Sequence, residues 1–324
     1  MNKLTVFIMA LLVLFTSFGL VNAASSSRDI ADTELSGLVL VLQSAWFTDP
    51  SELAPLGVSN NGIVVNGSAV LQGKDQDMDS YLAATESQIV ESFGQYVTKH
   101  NLNGSTAYVI MDLEAVIAPK NWGHYVGSDS DDAGDNQNGT SEFNQIITAF
   151  NLRISVAKNL LPTAKICLYG MPVPSSPHPT GAHWIQQQAG FTAAGKLGAF
   201  DLADYIVPTL YTRYCEQDSS NYTSKNATMI SMALGEAQTF RRTNGESIPI
   251  MPLVTPTLFN GASACNKTNI PATELWSQIT LIKSYSIDSY FMWVGNEDMP
   301  DTDQTIPEYL GDLLQAANQN SSGF

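Results

Sequence analysis

The stretch YVIMDLEAVIAPKNW, Tyr108 to Trp122, decides how this chain is to be read. It opens on four apolar residues, Tyr108 to Met111, an unbroken run of the kind found in a strand covered on both faces. Two carboxylates follow one residue apart, Asp112 and Glu114, where such a strand would leave the core. Side chains alternate along a strand, so Ile110, Asp112 and Glu114 share one face and Met111 and Leu113 the other. In a closed barrel of parallel strands, inward residues at the carboxyl ends line the mouth where active sites form. The two acids would project together into that mouth, and one of the pair should hold its proton to unusually high pH. A carboxylic acid kept protonated near neutral pH can protonate the leaving oxygen of a glycoside. A lone Asp-X-Glu is also the pattern of a strand end that caps a helix or meets an arginine. The rest of the chain has to decide between them.

Strand-like and helix-like segments alternate along it. Apolar runs of strand length are LVLVL (38–42), AYVIM (107–111), KICLYG (165–170), DYIVPTLY (204–211), IPIMPLV (248–254) and SYFMWV (289–294), with GIVVNG (62–67) a weaker seventh. Helical spacing recurs between them, at 77–100, 141–161, 184–197, 225–242, 272–285 and 305–316. Such repetition predicts an α/β fold, a TIM-barrel-like (β/α) barrel rather than a sandwich, in one domain spanning 24–324. Aromatic residues stand near the ends of three runs: Tyr169, Tyr211 and Trp293, the last followed by Glu297 and Asp298. Rings at a barrel mouth stack on the apolar faces of sugars, and hydroxyls and acids bond the sugar hydroxyls. Any one of these rings could be core. At one level beside a paired acid, they point to a saccharide site.

The chain begins with Lys3 and an uncharged apolar run from Leu4 to Leu20, and Val21-Asn22-Ala23 has the small-residue pattern of a cleavage site. This predicts a secretory signal peptide over 1–23 and a secreted or secretory-lumen protein, without membrane insertion. Seven Asn-X-Ser/Thr sequons, at Asn66, Asn103, Asn138, Asn221, Asn226, Asn266 and Asn320, fit a secreted glycoprotein. Of the three cysteines, Cys167 lies in a strand-like run and is expected to be a buried thiol. Cys215 and Cys265 lie in polar loops and are the natural disulfide pair, although an odd count leaves other pairings open. With 31 Asp+Glu against 15 Lys+Arg, the surface should repel nucleic acid and anionic membranes, and it counts against a polyanionic substrate. The run SDSDDAGDNQNGT (128–140) sets Asp129, Asp131 and Gly134 in the register of a calcium loop. Ala133 and Thr140 occupy ligand positions there, so a solvated loop is expected. His100, His124, His178 and His183 lack zinc-ligand spacing, and neither a Gly-X-Ser-X-Gly elbow nor a phosphate loop is present. No cofactor and no metal are expected, and the protein is expected to be a monomer.

The quoted stretch resembles the signature of the hyaluronidases, glycoside hydrolase family 56, whose third strand ends in Asp-X-Glu with a Pro and an Asn-Trp downstream. KICLYGMPV, ADYIVPTLY and SYFMWVGNED resemble later strands of that family in the same order, from about residue 105 to 315. The resemblance implies a distorted (β/α) barrel of seven to eight parallel strands that cuts a polysaccharide containing N-acetylhexosamine. It implies Glu114 as the general acid and Asp112 as the group that holds and polarises the substrate's acetamido group, whose oxygen is the nucleophile. Tyr211 and Trp293 would orient and wall that group, and Asn121 and Trp122 join the substrate-binding set with Tyr169. Departures are present: Ala115 and Ile117 stand where the family has Trp and Arg, and Val254 or Thr255 where it has a Tyr. Two alternatives stay open. One is a two-carboxylate glycosidase pairing Glu114 with Glu297 or Asp298, which would set a third acid about 5–9 Å from Glu114. The other is a glycan-binding barrel without turnover.

Overall fold

The strand-like runs become parallel strands of one sheet. The computed structural model describes residues 35, 37–42, 58–73, 77–102, 106–114, 117–126, 136–294 and 306–321. Within them lie β1 (Leu38–Leu42), β2 (Ser59–Asn66), β3 (Tyr108–Asp112), β4 (Lys165–Tyr169), β5 (Tyr205–Val207), β6 (Leu253–Val254) and β7 (Tyr290–Val294). They pair in parallel in the order β5-β4-β3-β2-β1-β7-β6. The outer two of that order also meet, through parallel bridges Ile206–Ile250 and Thr209–Leu253. Closure removes the free edges that an open sheet would leave.

The seam explains why the two longest apolar runs yield the shortest strands. Pro208, Pro249 and Pro252 have no N–H to give to a ladder. They take part as acceptors instead. Ile206 N donates to Pro249 O, Leu253 N to Pro208 O and Phe291 N to Pro252 O, at 2.8–2.9 Å. The weak seventh run behaves in the opposite way and extends to eight residues. Its Asn- and Gly-rich start has poor strand propensity, but partners on both sides, β1 and β3, hold it in register.

Helices cover the outside: α1 (Met78–Ala83), α2 (Glu86–Lys99), α3 (Asn136–Leu160), α4 (Ala182–Lys196), α5 (Tyr222–Ala237), α6 (Ala272–Lys283) and α7 (Ile306–Ser321). The one helix predicted over 77–100 is two, because Thr85 and Gln88 form a reciprocal capping box that starts α2 afresh. Alternation sorts the strand residues. Val109, Met111 and Leu113 face the helices in one outer core. Ile110, Cys167, Val207 and Phe291 fill the barrel interior. Near its base Tyr108 meets Tyr205 and Phe291 edge-on, with centroids 6.0 and 5.4 Å apart.

Cys215 and Cys265 are disulfide-bonded across 50 residues of sequence, and Cys167 is a buried free thiol. Among the sequons, Asn226 is buried with its amide in use. Its Oδ1 accepts from Arg213 N and Tyr214 N, and its Nδ2 donates to Tyr214 O. A glycan on Nδ2 would compete with the bond to Tyr214 O at a buried position, which counts against Asn226 as a glycan acceptor. The predicted signal peptide and most of the 128–140 loop lie outside the described residues. Replacing both Cys215 and Cys265 by Ser should lower unfolding stability by roughly 2–4 kcal/mol. Chemical denaturation of the two proteins side by side measures it.

Candidate active site

The interior column of β3 ends on an acid. Ile110 is fully buried, and two residues on Asp112 lines a narrow pit together with Val64, Tyr169, Tyr211, Leu253 and Trp293. The pit has a volume of about 30 Å³, room for one water or a methyl group. Larger hollows, about 450 Å³ beside the end of α4 and about 540 Å³ between α5 and α6, lie outside the barrel. Neither brings two carboxylates together, so chemistry rather than size identifies the mouth.

Around the pit the predicted aromatics converge. The hydroxyls of Tyr169 and Tyr211 are 2.8 Å apart, and the Tyr211 ring stacks on Trp293 with centroids 6.1 Å apart and planes 22° off parallel. Burial raises both phenol pKa values, so each hydroxyl remains a proton-bearing donor. Asp112 is held away from water, which is the main cause that raises its pKa to about 7. The neighbouring Glu114 charge adds to the rise, while the Glu114 N–H and Lys120 oppose it. Its Oδ1 and the Trp293 indole N–H are buried without a hydrogen-bond partner among the described residues. A site with an unmatched acceptor and an unmatched donor beside a methyl-sized void is complementary to a ligand that supplies both.

Glu114 stands higher, where the chain has left the ladder. Its side chain is 37% exposed, and Oε1 lies 4.0 Å from Lys120 Nζ. So open a pair binds weakly. Gly170, directly after β4, turns the chain beside Glu114 on a backbone at φ +75°, which favours glycine; a Cβ there would touch Glu114 Oε1 at 3.6 Å without overlap.

One member of the predicted set changes meaning. Trp122 is fully buried, not at the mouth, and its ring packs edge-on against Phe143, Phe150 and Phe191 at 5.2–6.3 Å. It has no face left for a sugar. It anchors instead the 3-10 turn Pro119–His124, which brings Lys120 toward Glu114. Gly123 and Gly190 let that turn touch α4 backbone to backbone, since a Cβ on either would overlap the other segment. Asn121 is half-buried on the same turn and bonds through its backbone N to Ala118 O. Glu297 and Asp298 lie outside the described residues.

Three residues near the acids went unread in the sequence. Lys120 lies inside the opening stretch, but only the 3-10 turn brings it back to Glu114. Arg213, two positions past Tyr211, is withdrawn from water, which lowers its pKa. Tyr169, Tyr211, Tyr214 and Glu114 counter that lowering electrostatically. An alternation count from Tyr211 could have found it. Gln72 had no such signal. Among the described residues, no group of three or more His, Cys, Asp or Glu could hold a metal ion, and no helix is long and apolar enough to cross a membrane.

No protein-family model and no curated protein sequence matches the chain. The architecture is that of a known barrel all the same. Bee venom hyaluronidase superposes with a TM-score of 0.63 at 12% sequence identity, over 87% of this chain and 99% of that one. A second structure of that enzyme, in complex with a hyaluronic acid tetramer, gives 0.61 at 12% identity, over 88% and 99%. At that identity the likeness is one of fold.

The raised Asp112 pKa has a consequence for stability. The folded protein holds the Asp112 proton to about pH 7, whereas the unfolded chain releases it near 4, the ordinary carboxylate value. Between those values the folded state binds more protons, so stability is highest below the unfolded pKa and declines as pH rises through about 7. Asp112→Asn should flatten this part of the profile and be the more stable protein at pH 8. Thermal midpoints of both proteins across that range test it, and parallel profiles would count against the burial of this charge.

Proposed function

We propose that this protein is a secreted glycoside hydrolase that cleaves a polysaccharide containing N-acetylhexosamine by a substrate-assisted, retaining mechanism. The observation that carries the proposal is the mouth itself. A desolvated Asp112 with one unmatched oxygen faces a methyl-sized pit walled by Tyr211 and Trp293, and a solvent-accessible Glu114 stands above it. An acetamido group has the matching parts: an N–H for Asp112, a carbonyl oxygen, and a methyl for the void.

Glu114 donates its proton to the glycosidic oxygen while the acetamido oxygen attacks the anomeric carbon, and the bond to the leaving sugar breaks. The cyclic intermediate carries positive charge on its nitrogen. Asp112 accepts the N–H, and its ionised form is favoured by that charge. Glu114, now a carboxylate, takes a proton from the water that opens the ring. Retention follows because the anomeric carbon is attacked twice. The Tyr169–Tyr211 hydroxyl pair and the Trp293 ring keep the acetamido group facing the anomeric carbon. The structural likeness to bee venom hyaluronidase supports the barrel scaffold for this reading.

The proposal includes removal of a signal peptide over 1–23, secretion of a single domain from 24 to 324, and action as a monomer without cofactor. Purified protein should be assayed against hyaluronan, chondroitin, chitin oligomers and peptidoglycan glycan strands at roughly pH 4 to 7, where a carboxylic acid can serve. Glu114→Gln should reduce kcat by roughly 10²–10⁴, with an unchanged thermal midpoint because the side chain is part exposed. Asp112→Asn should reduce kcat by roughly 10²–10³, with a smaller change in KM. A Glu114→Gln protein that kept most of its activity would overturn the assignment.

A further inference from the structure

Past Asp112 the β3 ladder stops, and the next carbonyl needs a partner. Register runs from Gly62–Tyr108 to Asn66–Asp112 on one side and ends at Met111–Leu168 on the other. The carbonyl of Leu113, the residue between the two acids, therefore has no strand to bond. Gln72 supplies the donor. Its Nε2 lies 2.8 Å from Leu113 O, across 41 residues of sequence, and the whole residue is buried. The amide orientation follows from chemistry, since only the NH2 end can donate to a carbonyl. The other end, Oε1, has no partner among the described residues. An apolar side chain here would spare the unpaired Oε1 but leave the Leu113 carbonyl without a donor, so the amide satisfies one buried oxygen while its own goes unpaired.

The turn that presents Gln72 is itself held in place. Gln72 N donates to Gly67 O at 2.8 Å, and Leu71 adopts a left-handed conformation at φ 56°. Gly67 has to lack a side chain, because a Cβ there would lie 2.6 Å from Gln72 O and 3.2 Å from Asp112 O. From α3, the buried Arg153 reaches the same turn. Its Nη2 donates to Leu71 O at 2.9 Å and to Tyr81 O at 3.0 Å, and its guanidinium lies 4.0 Å above the Tyr81 ring. Helix, turn and strand end thus form one connected set of contacts that terminates at the peptide joining Asp112 to Glu114.

We infer that Gln72 is a positioning residue: by extending the β3 ladder through a side-chain amide, it sets how deep Asp112 sits and how far Glu114 stands above it. The inference rests on the proposed function for its kinetic consequence but not for its structural one. In the unliganded protein the groups facing Asp112 are Glu114, Lys120, Tyr169 and Tyr211. None of them changes in the variants below.

Gln72→Met keeps the length of the side chain and removes the donor. Two quantities should be read on the same samples: the titration of the Asp112 carboxyl, by NMR of carboxyl-labelled Asp, and kcat and KM on the best glycan substrate. A freed strand end admits water to Asp112, so its titration should move down toward the ordinary carboxylate range. Loss of alignment should reduce kcat roughly 10- to 100-fold with little change in KM. Gln72→Glu serves as the second variant. Protonated at acid pH, its carboxyl can donate to Leu113 O and restores the rate over that of Gln72→Met at the same pH. Ionised, it cannot, so the ratio of its kcat to that of wild type should fall as pH rises. If Gln72→Met lost only thermal stability and kept the titration and kcat, the positioning role would be overturned. If wild-type protein cleaves no glycan but the Asp112 titration moves as described, the proposed function fails and the positioning role stands.

Discussion

Asp112 occupies the last position at which β3 is paired, where the packed interior of the barrel gives way to the mouth. Burying a carboxyl there without a cation in contact disfavours its charged form, and the proton stays on to about pH 7. The neighbouring features depend on this placement. One residue further along a strand would turn the acid toward the helices, and one pairing lost would let water reach it. The glycines at 67 and 170, the buried amide of Gln72 and the anchoring of Trp122 all act on the same few ångströms of chain.

Two carboxylates one residue apart come to differ because the strand ends between them. Asp112 is desolvated and lacks a partner for one oxygen, while Glu114 is part exposed beside Lys120. A proton held to near neutral pH was expected on the acid that protonates a leaving oxygen, but the raised pKa falls on Asp112, the group proposed to receive the acetamido N–H. In the proposed mechanism the positive charge of the cyclic intermediate is what favours the ionised, N–H-accepting form of the deep group.

Net charge is a poor guide to this mouth. The chain as a whole carries −16, which counted against a polyanionic substrate. Close to the acids, though, stand Lys120 and Arg213. Charges farther than about 8–10 Å are largely screened at physiological salt. Attraction or repulsion of a charged glycan is therefore set by these few near groups more than by the remote surface.

Much of the architecture was legible along the chain, because parallel strands covered on both faces must be apolar throughout and helices between them must repeat near 3.6 residues. The alternation that points Asp112 inward is a local property of extended backbone, and it could be read from the tripeptide alone. So could the gathering of Tyr169, Tyr211 and Trp293 at strand ends. What sequence could not decide was anything set by contact between distant segments. The prolines at 208, 249 and 252 looked like strand interior but serve as acceptors, the first two across the seam and Pro252 toward β7, since only the partner's position shows which backbone groups are used. Trp122 looked like a sugar platform beside its Asn and lies in the core, because Phe143, Phe150 and Phe191 arrive from other helices to enclose it. Gln72 was one polar residue in a turn until the fold carried it to the Leu113 carbonyl. Periodicity and residue type are local quantities, and they determined the elements and the facing of the acids. Burial and hydrogen-bond partnership are sums over the folded surroundings, so only the tertiary structure decided which carboxyl keeps its proton and what holds it there.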